Sequence, residues 1–257
     1  MTEAAFFKTI GRGGVVPVAL VVGWELLTHY HLVNTHILVR PELVLASAIE
    51  LVREGDLAKH LFSSLARDLA GFLAGSLAGL LVGGVMGGWR ISERLFGPSF
   101  HAAKQVAVFA WIPLISVWFG TGETAKVLFI ALAAFYPVAV NTYEGIRSVS
   151  RDYLEVTKVF RFARRQVWQK AIWPSALPSI FAGLHLALIY SWLGTLGAEY
   201  LLAAAPGVGN LMIDGRERFA MDQVLLGVIL AGIIGFALSA VASLAEGHIV
   251  RWRIRGV

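Results

Sequence analysis

Apolar residues along this chain fall into six long runs, at 15–30, 63–88, 100–119, 124–143, 179–202 and 224–245, and the charges collect between them. A helix needs about 20 mainly apolar residues to cross about 30 Å of hydrocarbon. The pattern therefore predicts an all-α integral membrane protein with six transmembrane helices in a single domain, 1–257. No repeat, linker or low-complexity segment marks a second one. The first run is the least regular, because Glu25 interrupts it. With Lys8 and Arg12 ahead of it, it also suits a signal peptide. No small-residue cleavage site follows, so it is read as an uncleaved span.

Two connections are long. In 31–62, Leu43, Ala46, Ile49 and Val52 recur at helical spacing, which predicts an amphipathic helix lying along the membrane surface. In 144–178, Tyr153, Val156, Phe160, Ala163 and Val167 share one helical face, with Asp152, Glu155, Lys158, Arg161 and Arg165 around it. Such a helix either rests on lipid headgroups or docks another protein through an apolar face set in a charged rim. Two prolines, Pro174 and Pro178, follow where this basic segment meets the fifth run. Pro178 suits the first turn of that helix, where a missing N–H costs nothing. In the second run, Gly71, Gly75 and Gly79 repeat every four residues, the spacing of a close-packed helix seam.

Composition supports the membrane reading. The chain is 57% hydrophobic and 15% charged, against about 25% charged in an ordinary soluble domain. There is no cysteine, which excludes disulfides, cysteine-bound zinc and iron–sulfur clusters. The net charge of +5 matters through its distribution. With a cytoplasmic N-terminus, 15 of the 22 basic residues fall on the inner side, and Arg40, Arg53, Lys59, Arg67, Lys126, Arg216 and Arg218 remain outside. That bias places both termini in the cytoplasm. The spans show no obvious buried arginine cluster.

Candidate chemistry is sparse. "GTGETAK" at 120–126 lacks the spacing of a phosphate-binding loop, so the chain carries no ATPase site of its own. His29, His31 and His36 do not share a helix face, and no metal site is assigned. Polar and proline positions at membrane depth are candidates for a translocation path. They are Trp111 and Pro113, which interrupt the third run; Asn141 and Thr142, just after Pro137; and His185, Trp192 and Glu199 in the fifth. The alternatives are a hydrogen bond to a neighbouring helix for Asn141, a lipid-facing or interfacial position for the tryptophans, and a packed or hydrogen-bonded side chain for His185.

The segment at 151–178 resembles the cytoplasmic signature of ABC importer permeases. Glu155-Val156-Thr157 stands in the place of its E-A-A, Arg161 in the place of its glycine, and "AIWPSALPSIFAGL" matches its proline-bearing end. Stretches 60–75, 111–149 and 197–212 resemble the nitrate, sulfonate, taurine and bicarbonate branch of that family. The resemblance implies a type I importer permease of the bacterial inner membrane. Its partners would be a second permease subunit, two cytoplasmic ATP-binding subunits, a periplasmic or lipid-anchored solute-binding protein and the surrounding lipid, with no nucleic acid. ATP and Mg would bind the ATPase, and this chain would bind no cofactor. The coupling residues would be Tyr153, Glu155, Val156, Phe160, Arg161, Trp168, Pro174 and Pro178. The cargo would be a small anion, with a small heterocycle, such as a pyrimidine or flavin precursor, left open. A membrane scaffold and a secondary transporter remain as other classes. Arginine adopts positive φ less readily than glycine, so at 161 either the turn is reshaped or the helix runs on.

Overall fold

The computed structural model describes residues 3–34, 37–202 and 205–249, with side chains from residue 15 to residue 247. Every regular element among them is helical. In chain order they are α1 (Glu3–His29), α2 (Pro41–Glu54), α3 (Asp56–Gly88), α4 (Arg90–Ala103), a 3₁₀ turn (Val108–Trp111), α5 (Ile112–Phe119), α6 (Glu123–Arg147), α7 (Arg151–Val159), α8 (Arg164–Val167), a π turn (Trp168–Ile172), α9 (Trp173–Leu201), α10 (Val208–Glu217) and α11 (Met221–Ile249). Arg251, Arg253, Arg255 and His36 lie outside the described residues, as do the side chains of Lys8 and Arg12.

Among the described residues, four helices are long and apolar enough to cross a membrane: Asp56–Gly88, Glu123–Arg147, Arg164–Leu201 and Met221–Gly247. The expected third span, 100–119, is not one helix. It divides into Arg90–Ala103 and Val108–Phe119, bent by 92° across the break. Counted as one crossing, this pair makes five, and Val15–His29 is apolar but shorter. The break falls ahead of Trp111 and Pro113, so neither interrupts a helix. Pro113 sits in the first turn of α5, where no N–H is required of it.

The chain forms two compact units: residues up to Lys59 with Leu211–Ile229, and His60–Asn210 with the chain from Leu230 onward. In the first, Trp24 Nε1 donates to the Val39 carbonyl at 2.9 Å. There α2 buries Val44, Ser47 and Leu51 and leaves Leu43, Ala46, Ile49 and Val52 exposed.

The second unit is organised by α6, packed between α3 and α9. Gly71, Gly75, Gly79 and Gly83 of α3 are buried against it. A Cβ on Gly79 would stand 2.8 Å from the Phe135 carbonyl oxygen, and one on Gly75 would meet the backbone of Ala131. Dispersion between closely approaching backbones holds such helices together where lipid supplies no hydrophobic drive. This seam is satisfied within the chain, so it offers no small-residue face for pairing two copies. Ala134 and Val138 of α6 pack with Ala187 of α9, and Phe72 and Leu80 of α3 pack against the same cluster.

Candidate functional site

Charged side chains buried among these helices converge where α3 and α6 begin and α9 ends. Arg67, two turns into the second unit's part of α3, is 7% exposed. One edge of its guanidinium, Nε and Nη2, meets the two oxygens of Glu123 at 2.5 and 2.9 Å. Nη1 donates to Glu199 Oε1 and to the Pro206 carbonyl, both at 2.7 Å. Glu199 is fully buried at the end of α9. It also accepts from Ser64 Oγ at 2.7 Å and from the Gly209 N–H at 2.8 Å. A buried ion pair of this kind persists only when its remaining lone pairs and protons find partners.

Pro206, Gly207 and Val208, ahead of and opening α10, are each gripped. Pro206 gives its carbonyl to Arg67. The Gly207 N–H donates to His60 Nδ1 at 2.9 Å, and the Val208 N–H donates to Ser64 Oγ at 2.9 Å. A Cβ on Gly207 would lie 2.5 Å from the Glu199 carboxyl carbon, so only glycine admits the carboxylate here. Asp68 is engaged separately, accepting from Thr195 Oγ1 at 3.3 Å. Lys126, in the first turn of α6, is buried; its Nζ lies 3.6 Å from Glu123 Oε1 and makes no hydrogen bond.

The centre holds one buried arginine, not a cluster of them. Arg67 and Lys126, counted on the outer side from the sequence, are both buried in ion pairs. The signal lay inside the second apolar run, where "ARD" at 66–68 interrupts it, and in the "ETAK" that opens the fourth. Glu199 is the one sequence candidate that the centre contains.

The other path candidates fall in separate surroundings. Trp111 packs against the cluster of Ile112, Ile115, Phe129 and Ala198, with its Nε1 unpartnered. Asn141 Nδ2 donates to the Pro137 carbonyl at 2.9 Å, and the Asn141 carbonyl accepts from Ser179 Oγ. Thr142 is buried with its hydroxyl unpartnered. His185 Nε2 meets Ser239 Oγ at 3.0 Å, with Glu246 at 3.8 Å from Nδ1. Trp192 is buried between α9 and α11, donating to the Ala231 carbonyl at 3.0 Å. Among the described residues no three metal-binding side chains group together.

A second region is the α7–α9 elbow. Ser150 caps α7, accepting from the Tyr153 N–H at 3.3 Å. The helix turns Thr157 inward and Tyr153, Val156, Val159 and Phe160 outward, with Val159 80% exposed. Glu155 lies on the exposed surface among them. The helix ends at Val159, so Ala163 and Val167 do not continue its face: the 3,4 spacing ran on across a turn. The expected fork at Arg161 is also decided. Its φ is +50°, its N–H donates to Lys158 at 3.0 Å and that of Phe162 to Thr157 at 2.9 Å. This pair of bonds is the left-handed helix stop that glycine usually builds. The turn is kept, with arginine in the glycine's place, and its side chain is exposed.

The prolines also differ from expectation. Pro174, not Pro178, occupies the first turn of α9, and Pro178 lies inside it. Helix runs from Arg164 to Leu201, through a π turn in which the Trp173 N–H reaches back to the Trp168 carbonyl. The wider turn accommodates residues that cannot donate. Trp168 packs with Ile146, Ala176 and Ile180, and a Cβ on Gly88 would meet its ring at 2.7 Å. It pins the elbow to α3 and α6 instead of facing outward. Nearby, Arg147 pairs with Glu93, and the Tyr143 hydroxyl donates to Glu93 at 2.7 Å.

The model of the family described as binding-protein-dependent transport system inner membrane component matches residues 71–255. A putative aliphatic sulfonates transport permease protein, SsuC, of Bacillus subtilis is 34% identical over 242 residues, 94% of this chain and 87% of the relative. A taurine transport system permease protein, TauC, of Escherichia coli is 32% identical, over 93% and 88%. A chain of the MetNI methionine ABC transporter in an inward-facing conformation superposes with a TM-score of 0.60 at 16% identity, over 76% of this chain and 95% of that one, a likeness of fold.

Proposed function

The chain belongs to the family of binding-protein-dependent transport system inner membrane components, and from that premise we propose that it is the pore-forming subunit of an ATP-driven importer for a small anion. It is a multi-pass inner-membrane permease of the ABC importer type. Sulfonate and taurine permeases are among its relatives, so the cargo is drawn from the small oxyanions. Two copies of this chain pair with two ATP-binding subunits, and a solute-binding protein delivers cargo from outside. ATP and Mg reside on the motor, and this chain holds no hydrolytic site. Both termini lie in the cytoplasm. Burial of Arg67 and Lys126 removes two of the seven basic residues counted outside, leaving five, which strengthens the charge bias behind that orientation.

The observation that carries the proposal is the exposed apolar face of α7. A short helix that turns Val156, Val159, Phe160 and Tyr153 to solvent within a rim of arginines matches the helix-in-groove mode of protein recognition. The ATPase supplies the groove. Its movement enters through α7, whose stop at Arg161 fixes the angle to the next helix, and Trp168 delivers the displacement to α3 and α6. The stiffness of helix 164–201 lets force tilt it without melting it.

The test is ATP-driven uptake into vesicles bearing the permease, its ATPase and its binding protein. Glu155→Ala should leave the permease folded and inserted while abolishing binding-protein-stimulated ATP turnover. Normal uptake by this variant would defeat the proposal.

A further inference from the structure

We propose that the Nε/Nη2 edge of Arg67 and the ammonium of Lys126 form an oxyanion-binding site in the translocation path, held shut by the carboxylate of Glu123. For the cargo it rests on the reading of the chain as an anion permease; the geometry stands by itself.

Two cations, Arg67 and Lys126, and two acids, Glu199 and Asp68, are buried here; Glu199 pairs with Arg67 through Nη1, and Asp68 accepts from Thr195. The opposite edge of the Arg67 fork and the Lys126 ammonium then share one remaining anion, Glu123. Its two oxygens lie at the fork in the side-on geometry that planar guanidinium prefers for any group presenting two oxygens. Nitrate, hydrogencarbonate and sulfonates all present such a pair.

Glu123 differs from the other members in its exposure. Its side chain is 57% exposed, whereas those of Arg67, Glu199 and Lys126 are buried to 7%, 0% and 1%. When it swings out, water solvates it at little cost, and the Lys126 ammonium and the Nε/Nη2 edge of Arg67 are left without a partner. An incoming oxyanion removes that penalty. Lys126 Nζ already lacks a hydrogen bond, so a ligand gains a donor there that Glu123 leaves unused. The first turn of α6 adds to this: Gly122 provides no side-chain cap, and the N-terminal amides of a helix favour negative charge. Asp68, the other acid nearby, is held by Thr195. The carboxylate is thus an internal stand-in for cargo. It keeps the buried cations paired while no substrate is present, and yields to an anion arriving at local concentration from a binding protein.

The experiment titrates the full-length permease in nanodiscs with sodium nitrate, sodium hydrogencarbonate, sodium ethanesulfonate and taurine, each against sodium chloride at equal ionic strength, by calorimetry. At least one oxyanion should bind the wild type above chloride. Glu123→Gln, which removes the competing charge and keeps its shape, should bind that anion about tenfold more tightly, the gain expected when a competing surface charge leaves a buried cation. Lys126→Gln should abolish binding and Lys126→Arg retain it. Unchanged or weaker affinity in Glu123→Gln overturns the site and leaves the Arg67–Glu123 pair as structure alone. Should the lysine variants not fold, the Glu123→Gln arm decides. If Glu123→Gln gains oxyanion affinity but the assembled importer carries no anion, the site stands and the cargo reading fails. If the importer carries an anion whose binding neither variant alters, the cargo reading stands and the site falls.

Discussion

The polar centre around Arg67 and the elbow at α7 handle exposure in opposite ways. In the centre, groups that prefer water are buried, and nearly all of them are paired: guanidinium to two carboxylates and a carbonyl, carboxylate to a hydroxyl and an amide. At the elbow, groups that avoid water are left in it, with Val159 and Phe160 uncovered and Arg161 in a backbone conformation that costs energy. The first region is internally complete except at Glu123, which reaches solvent, and at Lys126, whose ammonium makes no hydrogen bond. The second is incomplete in a way that only another surface remedies. Local strain of this kind persists where surroundings or function require it.

Removing a partner from the complete region should have the largest effect. Arg67→Ala leaves Glu199 buried without its cation and Pro206 without its donor. Breaking a buried ion pair from one side costs about 3–5 kcal/mol, so detergent-solubilised protein should melt far earlier than wild type, as read by scanning fluorimetry. A variant as stable as wild type would show that the centre is not internally coupled.

In the incomplete region the effect should fall on association instead. Val159→Asp should leave the melting point unchanged and weaken ATPase binding roughly thirtyfold, the scale of an interface hot spot. Loss of stability without loss of binding would reverse the assignment.

The smallest effect concerns the turn. A left-handed conformation costs an L-residue roughly 1–2 kcal/mol, part of which glycine regains. Arg161→Gly should therefore slow amide exchange at Phe162 about fivefold. Faster exchange would mean that the arginine side chain, not the backbone, secures the turn.

Much of the architecture was legible because apolar runs and glycine spacing are local signals. Five of the six runs lie in single helices and the third is split between two, while Gly71, Gly75 and Gly79 form the seam on α6. The bend between α4 and α5 was not legible, because 104–107 contains neither glycine nor proline to mark it. Arg67, Glu123 and Glu199 were unreadable as a unit, since 56 and 132 residues of sequence separate the arginine from its two partners. Val159 was missed because the helical period was carried across the stop at Arg161.

The most direct measurement uses the absence of native cysteine. Val159→Cys gives a single thiol on the exposed face of α7, which can carry a short photo-crosslinker in membranes containing the ATP-binding subunit. A crosslink to that subunit, lost when ATPase expression is withheld, is the predicted result. Labelling of lipid alone, with the motor assembled and active, would contradict the account.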